Sequence, residues 1–391
     1  MIASRRAVLA GLAGSLGARA AFAEAEKGID DKEIVLGTMG GLTGPLASDG
    51  IGIRDGTAAL LNAVNDRGGV AGHKLRLVSE DNAYSAPQAL AAVRRMMSGN
   101  GIFALINGHA TPQLAAVLPY LVDQQKVPVF GGYGGLAEWY NPPRPGLFGL
   151  YPLGDDQGRA LGAWAARDGA QKLLVLHIDG NVYQRSGLVA DSSFRAVAKG
   201  GSVELQPIKF GTSDYAPVAI KIAQTRPDAL IVMLSEVETV LLTKEMRAQS
   251  LAMPVYAWVP IVTQDLIVKG GPNVEGLKAT SMIVAPDADT PAVREYRADL
   301  AKYFPDDKPE FFSLFGYGST KVFVEALRRI GGPVTHEALY QALYTLKDYD
   351  SGIFAPITFS PEQHHGTKGL FQATIKDGKW QVGSLIEGTP A

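Results

Sequence analysis

Asp155 and Asp156 stand side by side, and paired carboxylates are common equipment for general acid–base work. Adjacent residues point apart, however, and this pair follows a proline-rich break. That setting favours a hinge or ligand contact over proton transfer. Gly132-Tyr133-Gly134-Gly135-Leu136-Ala137 satisfies the dinucleotide pattern G-x-G-x-x-A, with acids about 20 residues on at Asp155 and Asp156. A dinucleotide loop must open a full helix, and Asn141-Pro142-Pro143-Arg144-Pro145-Gly146 stops any helix after about two turns. His364-His365 lies in a Gly- and Gln-rich turn with no nearby third ligand, which reads as a solvated loop and not a metal site. No G-x-S-x-G elbow and no G-x-x-x-x-G-K-[ST] loop occurs. Cysteine is absent, which excludes disulfides, thiolate metal sites and a lipid-anchored cysteine. The expectation is reversible binding without catalysis, cofactor or metal.

The elements that would position a binding site alternate along the chain. Ile34-Val35-Leu36-Gly37-Thr38 is a buried-type strand. It leads through Leu42-Thr43-Gly44-Pro45-Leu46 to a helical stretch over 52–65, a glycine-rich turn at 66–72 and a second strand at 74–78. A long, glycine-punctuated loop at the carboxyl end of a parallel strand is where an α/β protein presents ligands. Strands are expected at 103–106, 127–130, 173–178, 203–206, 229–234 and 255–258, with helices between them, including 87–98, 157–167, 187–199, 216–225 and 237–249. Later helices fall at 291–303, 313–330 and 335–346, and short strands at 357–359, 370–375 and 380–385 close the chain. Apolar strands separated by amphipathic helices mean parallel sheets covered on both faces.

Breaks at 141–146, 285–287 and 353–356 read as three crossings between two discontinuous α/β lobes. The first lobe takes 30–151 plus 283–354, and the second takes 152–282 plus 355–391. Two lobes joined by three hinges suit closure around a ligand. Ahead of them, Ser4-Arg5-Arg6, an apolar run over 7–16 and Ala21-Phe22-Ala23 read as an export signal over 1–23. The arginine pair suits the twin-arginine route, with the ordinary secretory route as the alternative. At 391 residues, with 37 Lys+Arg against 39 Asp+Glu, the chain carries no basic stripe for nucleic acid. No second apolar run is long enough for a membrane span. A monomeric periplasmic protein is the expectation.

The ordered succession of motifs resembles the periplasmic leucine/isoleucine/valine-type solute-binding proteins of ABC importers over about 34–382. Besides the opening block, it is carried by Asp81-Asn82, Gly108-His109-Ala110-Thr111, Gly154-Asp155-Asp156-Gln157-Gly158, Asp179 with Tyr183 and Gly187, and Asp214-Tyr215 followed by Ile222 and Arg226-Pro227-Asp228. The resemblance implies two Rossmann-like lobes of the type I periplasmic-binding fold, a small solute in the cleft and ABC permease subunits as partners. It implies that hydroxyls and backbone N–H groups at Ala110, Thr111, Gly134 and Gly135 hold a substrate carboxylate. Free N–H groups at a helix start already attract anions.

Departures from that pattern matter equally. Gly135 stands where amino-acid binders have a threonine. Trp258-Val259-Pro260 occupies the loop where those relatives often carry the acid for the substrate ammonium. Glu236 is one candidate replacement. Asp49, where many relatives place an aromatic residue, is the other. Tyr133, Tyr183 and Trp258 offer flat apolar walls. The ligand reading is a branched-chain or related amino acid, with aromatic or aliphatic carboxylates, amides and urea-like compounds as alternatives. A ligand-sensing signalling subunit and an exported hydrolase or oxidoreductase are the rival classes.

Overall fold

The computed structural model describes residues 26–44 and 47–386. The expected export signal at 1–23 lies outside these residues, as do Pro45, Leu46 and the last five residues. In chain order the elements are β1 (Glu33–Gly40), α1 (Ala47–Asp66), β2 (Lys74–Asp81), α2 (Ala86–Met96), β3 (Ala104–Ile106), α3 (Thr111–Leu118), β4 (Val129–Phe130) and β5 (Leu147–Phe148). There follow α4 (Gly154–Arg167), β6 (Lys172–Ile178), α5 (Asn181–Val197), β7 (Ser202–Ile208), α6 (Ala216–Thr225), β8 (Ala229–Met233), α7 (Glu236–Ala248), β9 (Val255–Ala257) and α8 (Gln264–Gly270). Then come β10 (Lys278–Ser281), α9 (Pro291–Tyr303), α10 (Phe311–Arg328), α11 (His336–Tyr344), β11 (Phe371–Lys376) and β12 (Lys379–Leu385).

Two sheets result, of order β2-β1-β3-β4-β5 and β12-β11-β10-β9-β8-β6-β7. All pairings are parallel except those of β10 with β11 and β11 with β12. The two-sheet α/β architecture therefore agrees with the sequence pattern. Fully buried Leu174, Val175 and Leu176 on β6 and Leu230, Ile231 and Val232 on β8 show why these strands read as continuous apolar runs.

Helices α1 and α10 cross at backbone contact, and glycine makes this possible. A Cβ at Gly56 would stand 1.9 Å from the carbonyl oxygen of Ser313, and one at Gly316 would stand 2.2 Å from that of Ile53. The close crossing brings the first turn of α1 beside the N-terminus of α10.

Several local expectations are corrected. α1 begins at Ala47 and not near residue 52, which puts Asp49 in its first turn. α5 begins at Asn181, because Gly180 adopts φ 148° and lets the chain turn into the helix early; Tyr183 thus lies in a first turn as well. Residues 357–359 form no strand. Successive N–H groups there reach different partners, Tyr349 from Ile357, Gly366 from Thr358 and Leu346 from Phe359, so no ladder develops. Past the end of β10 at Ser281, Ile283 makes a single bridge with Phe354.

His364 and His365 are not in a solvated loop. They are 4% and 3% exposed. His364 stacks on Phe148 at 4.3 Å between centroids and bonds the Tyr344 hydroxyl through Nε2, while His365 Nε2 reaches the carbonyl of Tyr151. The backbone explains the burial, because Gly149 donates to the carbonyl of His364 and Gly366 donates to that of Gly149. The turn is sewn to the strand leaving the first sheet. Among the described residues no cluster of His, Cys, Asp or Glu is arranged to hold a metal ion.

Candidate functional site

The loops after β3 and β4 meet at the carboxyl end of the first sheet. Ala110 precedes α3 with φ 78° and ψ 138°, a region that an L-alanine enters only under constraint. Its N–H donates to the carbonyl of Tyr133 at 2.9 Å, and the N–H of Tyr133 donates to Gly108 at 2.9 Å. Gly134, at φ 142°, packs so closely that a Cβ would lie 2.6 Å from Thr111 Oγ1. The N–H of Gly135 donates to that same oxygen at 3.2 Å. Thr111 Oγ1 therefore accepts from Gly135 and keeps its own proton for another acceptor. Ala110, Thr111, Tyr133, Gly134 and Gly135 are gathered at one place, beside the unpaired N–H groups opening α3.

Aromatic rings surround this corner. Tyr133 lies against His109 at 5.7 Å, Tyr151 at 4.8 Å and Phe312 at 5.3 Å, and His109 lies against Tyr84 at 5.6 Å. Burial pushes the Tyr133 hydroxyl well above its ordinary pKa and pulls His109 down to about 4, so the imidazole is neutral. From the second layer Tyr183 meets Trp258 edge-on at 5.6 Å. Trp258 is half-buried, and its indole N–H donates to the carbonyl of Leu234 at 2.7 Å, which fixes the ring plane. A narrow crevice of about 10 Å³ runs between the layers, lined by Tyr133, Phe312, Val259, Val262 and Met282.

The acids divide. Asp155 receives the guanidinium of Arg185 through both Nε and Nη2, which ties α4 to α5 within one layer. Glu236 opens α7 and accepts from the Thr263 hydroxyl at 2.5 Å and the Lys269 ammonium at 2.8 Å. Asp49 has a weaker partner, the Ser48 hydroxyl at 3.1 Å, and among the described residues no ion pair. Burial raises its pKa to about 6; Ser48 opposes this, and Glu236 and Asp265 across the gap add to it.

Sequence reasoning missed Glu310, Tyr84, His109 and Tyr151 as neighbours of this site. Glu310 caps α10, accepting the N–H of Phe312 at 2.7 Å and of Ser313 at 2.5 Å. Burial lifts its pKa to about 7, the two N–H groups hold it down, and Asp49 adds like-charge repulsion. Glutamate is not among the usual N-cap residues, so the pattern Glu310-Phe311-Phe312-Ser313 carried no cap signal. Tyr84 enters through consecutive left-handed residues, Ala83 at φ 44° and Tyr84 at φ 55°, which side-chain pattern does not reveal.

A protein-family model described as periplasmic binding protein matches residues 33–379. The Leu/Ile/Val-binding protein homolog 3 of Brucella melitensis is 22% identical over 358 residues, covering 90% of this chain and 93% of that protein. The named relatives are binding proteins and not enzymes. A branched-chain amino acid ABC transporter protein from Thermus thermophilus, solved with bound valine, is 19% identical with a TM-score of 0.77, over 91% of this chain and 97% of that one. A solute-binding protein of an ABC transporter from Rhodopseudomonas palustris, solved with 3,4-dihydroxybenzoic acid, is 20% identical with a TM-score of 0.76, over 92% and 98%. These structures share the fold and hold different ligands.

Proposed function

Because the chain belongs to the periplasmic binding protein family, we propose that it is a non-enzymatic carrier holding a small organic solute between two lobes and passing it to the permease of an ABC importer. A branched-chain or related amino acid leads as the solute. In this reading the lobes comprise 30–151 plus 283–354 and 152–282 plus 355–391. Residues 1–23 serve as the export signal, and the carrier works in the periplasm. No helix among the described residues is long and apolar enough to cross a membrane.

The observation that carries this reading is the pairing of Thr111 with the N–H of Gly135 at the start of α3. Two kinds of donor converge there, the Thr111 hydroxyl and helix-terminal N–H groups, while the N–H groups of Gly134 and Gly135 brace the loop by donating to Gly132 and Thr111. Each hydrogen bond to a charged group contributes roughly 1.5–3 kcal/mol, so a few anchor a carboxylate. Tyr183 and Trp258 would latch from the second lobe, since only a ligand touching both lobes shifts the open–closed population. Moving that population from about 1% to about 99% closed takes roughly 5.5 kcal/mol of preference for the closed state. The aromatic corner around Tyr133 favours aromatic carboxylates as a second ligand reading.

A thermal-shift screen of the purified protein against amino acids and organic acids tests the proposal. Stabilisation by at least one, with the solute recovered chemically intact, is the expected result. Turnover of the stabilising compound would return the protein to the enzymes.

A further inference from the structure

Asp49 sits at a junction of both layers. The first turn of α1 packs on the end of β1 beside Tyr84 and His109: a Cβ at Gly50 would stand 2.3 Å from the Gly41 carbonyl oxygen, one at Gly41 3.3 Å from the Tyr84 nitrogen, and one at Gly40 3.5 Å from the His109 Cβ. The carboxylate of Asp49 also feels Glu310 on this side and Glu236, Asp265 and Lys269 across the gap. Lys269 is already engaged by Glu236 at 2.8 Å and Asp265 at 2.9 Å, so it does not neutralise Asp49 directly. A desolvated acid near further acids lacks a cation.

Its surroundings fit a positive charge. The hydroxyls of Tyr84 and Tyr133 form no hydrogen bond among the described residues, and these rings stand beside His109 and Tyr151. His109, 4% exposed, leaves Nδ1 without a partner. Phenol rings and a carboxylate without an ion pair both suit a cationic group. The backbone is constrained at the same place, at Ala83, Tyr84 and Ala110.

We propose that the first lobe holds a positively charged nitrogen of the solute at Asp49, beside the rings of Tyr84 and Tyr133. The ligand is then a zwitterion whose carboxylate and cation both rest on the first lobe, at Thr111 and Asp49, while Trp258 and Tyr183 close over it. Glu236, held by Thr263 and Lys269, braces α7 against α8 and takes no cation. Carboxylates without a cationic nitrogen leave Asp49 with no ion pair, and are rejected. This inference rests on the solute-binding reading and narrows it.

Isothermal titration with three matched pairs tests it: L-leucine against 4-methylpentanoate, L-phenylalanine against 3-phenylpropanoate, and trimethylglycine against 3,3-dimethylbutanoate. Benzoate is added as a cation-free aromatic acid. At least one cationic member should bind about tenfold or more tighter than its partner. The pair that responds separates a primary ammonium from a fully methylated one. Asp49→Asn should shrink that ratio below about threefold, whereas Glu236→Gln should keep it. Equal binding within every pair, or a ratio that survives Asp49→Asn, overturns the inference. Binding of benzoate with no response from any pair also overturns it while leaving the solute-binding reading standing. Silence from all seven compounds counts against both.

Discussion

The carboxylate of Glu310 lies over Gly52 so closely that a Cβ there would stand 2.4 Å from Oε1. Asp49 and Gly52 are three residues apart on α1 and share one helix face. The missing side chain at Gly52 therefore lets the cap of α10 settle beside the first turn of α1, which brings two acids to one edge of the cleft. Gly52→Ala should push the carboxylate off the N–H groups of Phe312 and Ser313. The expected loss is about 1–2 kcal/mol of unfolding free energy, the cost of a lost cap, read by denaturant titration. An unchanged midpoint would show that Glu310 can move without penalty.

The raised pKa of Asp49 makes its burial a pH-dependent penalty. Between the unfolded value near 3.8 and the folded value of about 6, the folded chain binds the extra proton, so this group's contribution falls as pH rises through that window. Above about pH 6 the full penalty applies, on the order of 3 kcal/mol for a shift of about two pKa units. Asp49→Asn should therefore raise the melting temperature of the ligand-free protein at pH 7 and have little effect near pH 4. His109, held down to about 4, acts in the opposite sense: its stability contribution is present above the unfolded histidine value and is lost as pH falls toward 4. For that reason the difference between wild type and Asp49→Asn, and not the wild-type curve, is the quantity to follow. A variant less stable than wild type at pH 7 would contradict the assignment of Asp49 as a desolvated acid without an ion pair.

Thr111→Val removes both the acceptor for Gly135 and the hydroxyl proton offered to a solute. Affinity for a carboxylate-bearing solute should fall about tenfold or more, since a hydrogen bond to a charged group is lost. Thr111→Ser should recover most of it. Calorimetric titration of both variants checks this, and equal affinity in Val and Ser variants would place the carboxylate elsewhere.

Gly134→Ala forces a Cβ into φ 142° and to 2.6 Å from Thr111 Oγ1. A destabilisation of about 1–3 kcal/mol is expected from the backbone conformation alone. A melting temperature within a degree of wild type would mean the loop can rearrange freely.

Much of this architecture was legible because apolar strands such as 173–178 and 229–234 are fully buried in parallel sheets, where burial on both faces leaves a continuous signal. The meeting of the loops after β3 and β4 was also legible, through Thr111 at a helix start and the Gly134-Gly135 pair. What escaped depends on tertiary approach. Glu310 is distant in sequence from Asp49, and it reaches α1 through glycines whose role appears only when two helices touch. Tyr84 is aimed by left-handed backbone, and His364 with His365 is buried by strand contacts that a Gly- and Gln-rich turn does not announce. The short strand at 357–359 failed because β-like residues at a crossing have no continuous neighbour to pair with.

The central claim is that one small organic solute is held, unaltered, between the two layers. Titrating the purified protein calorimetrically with amino acids and aromatic carboxylates, and recovering the bound compound for mass spectrometry, tests it most directly. The account predicts binding of one solute per chain, weakened in Thr111→Val, with the compound recovered at its original mass. Absence of binding across both compound classes, or recovery of a chemically changed compound, would contradict it.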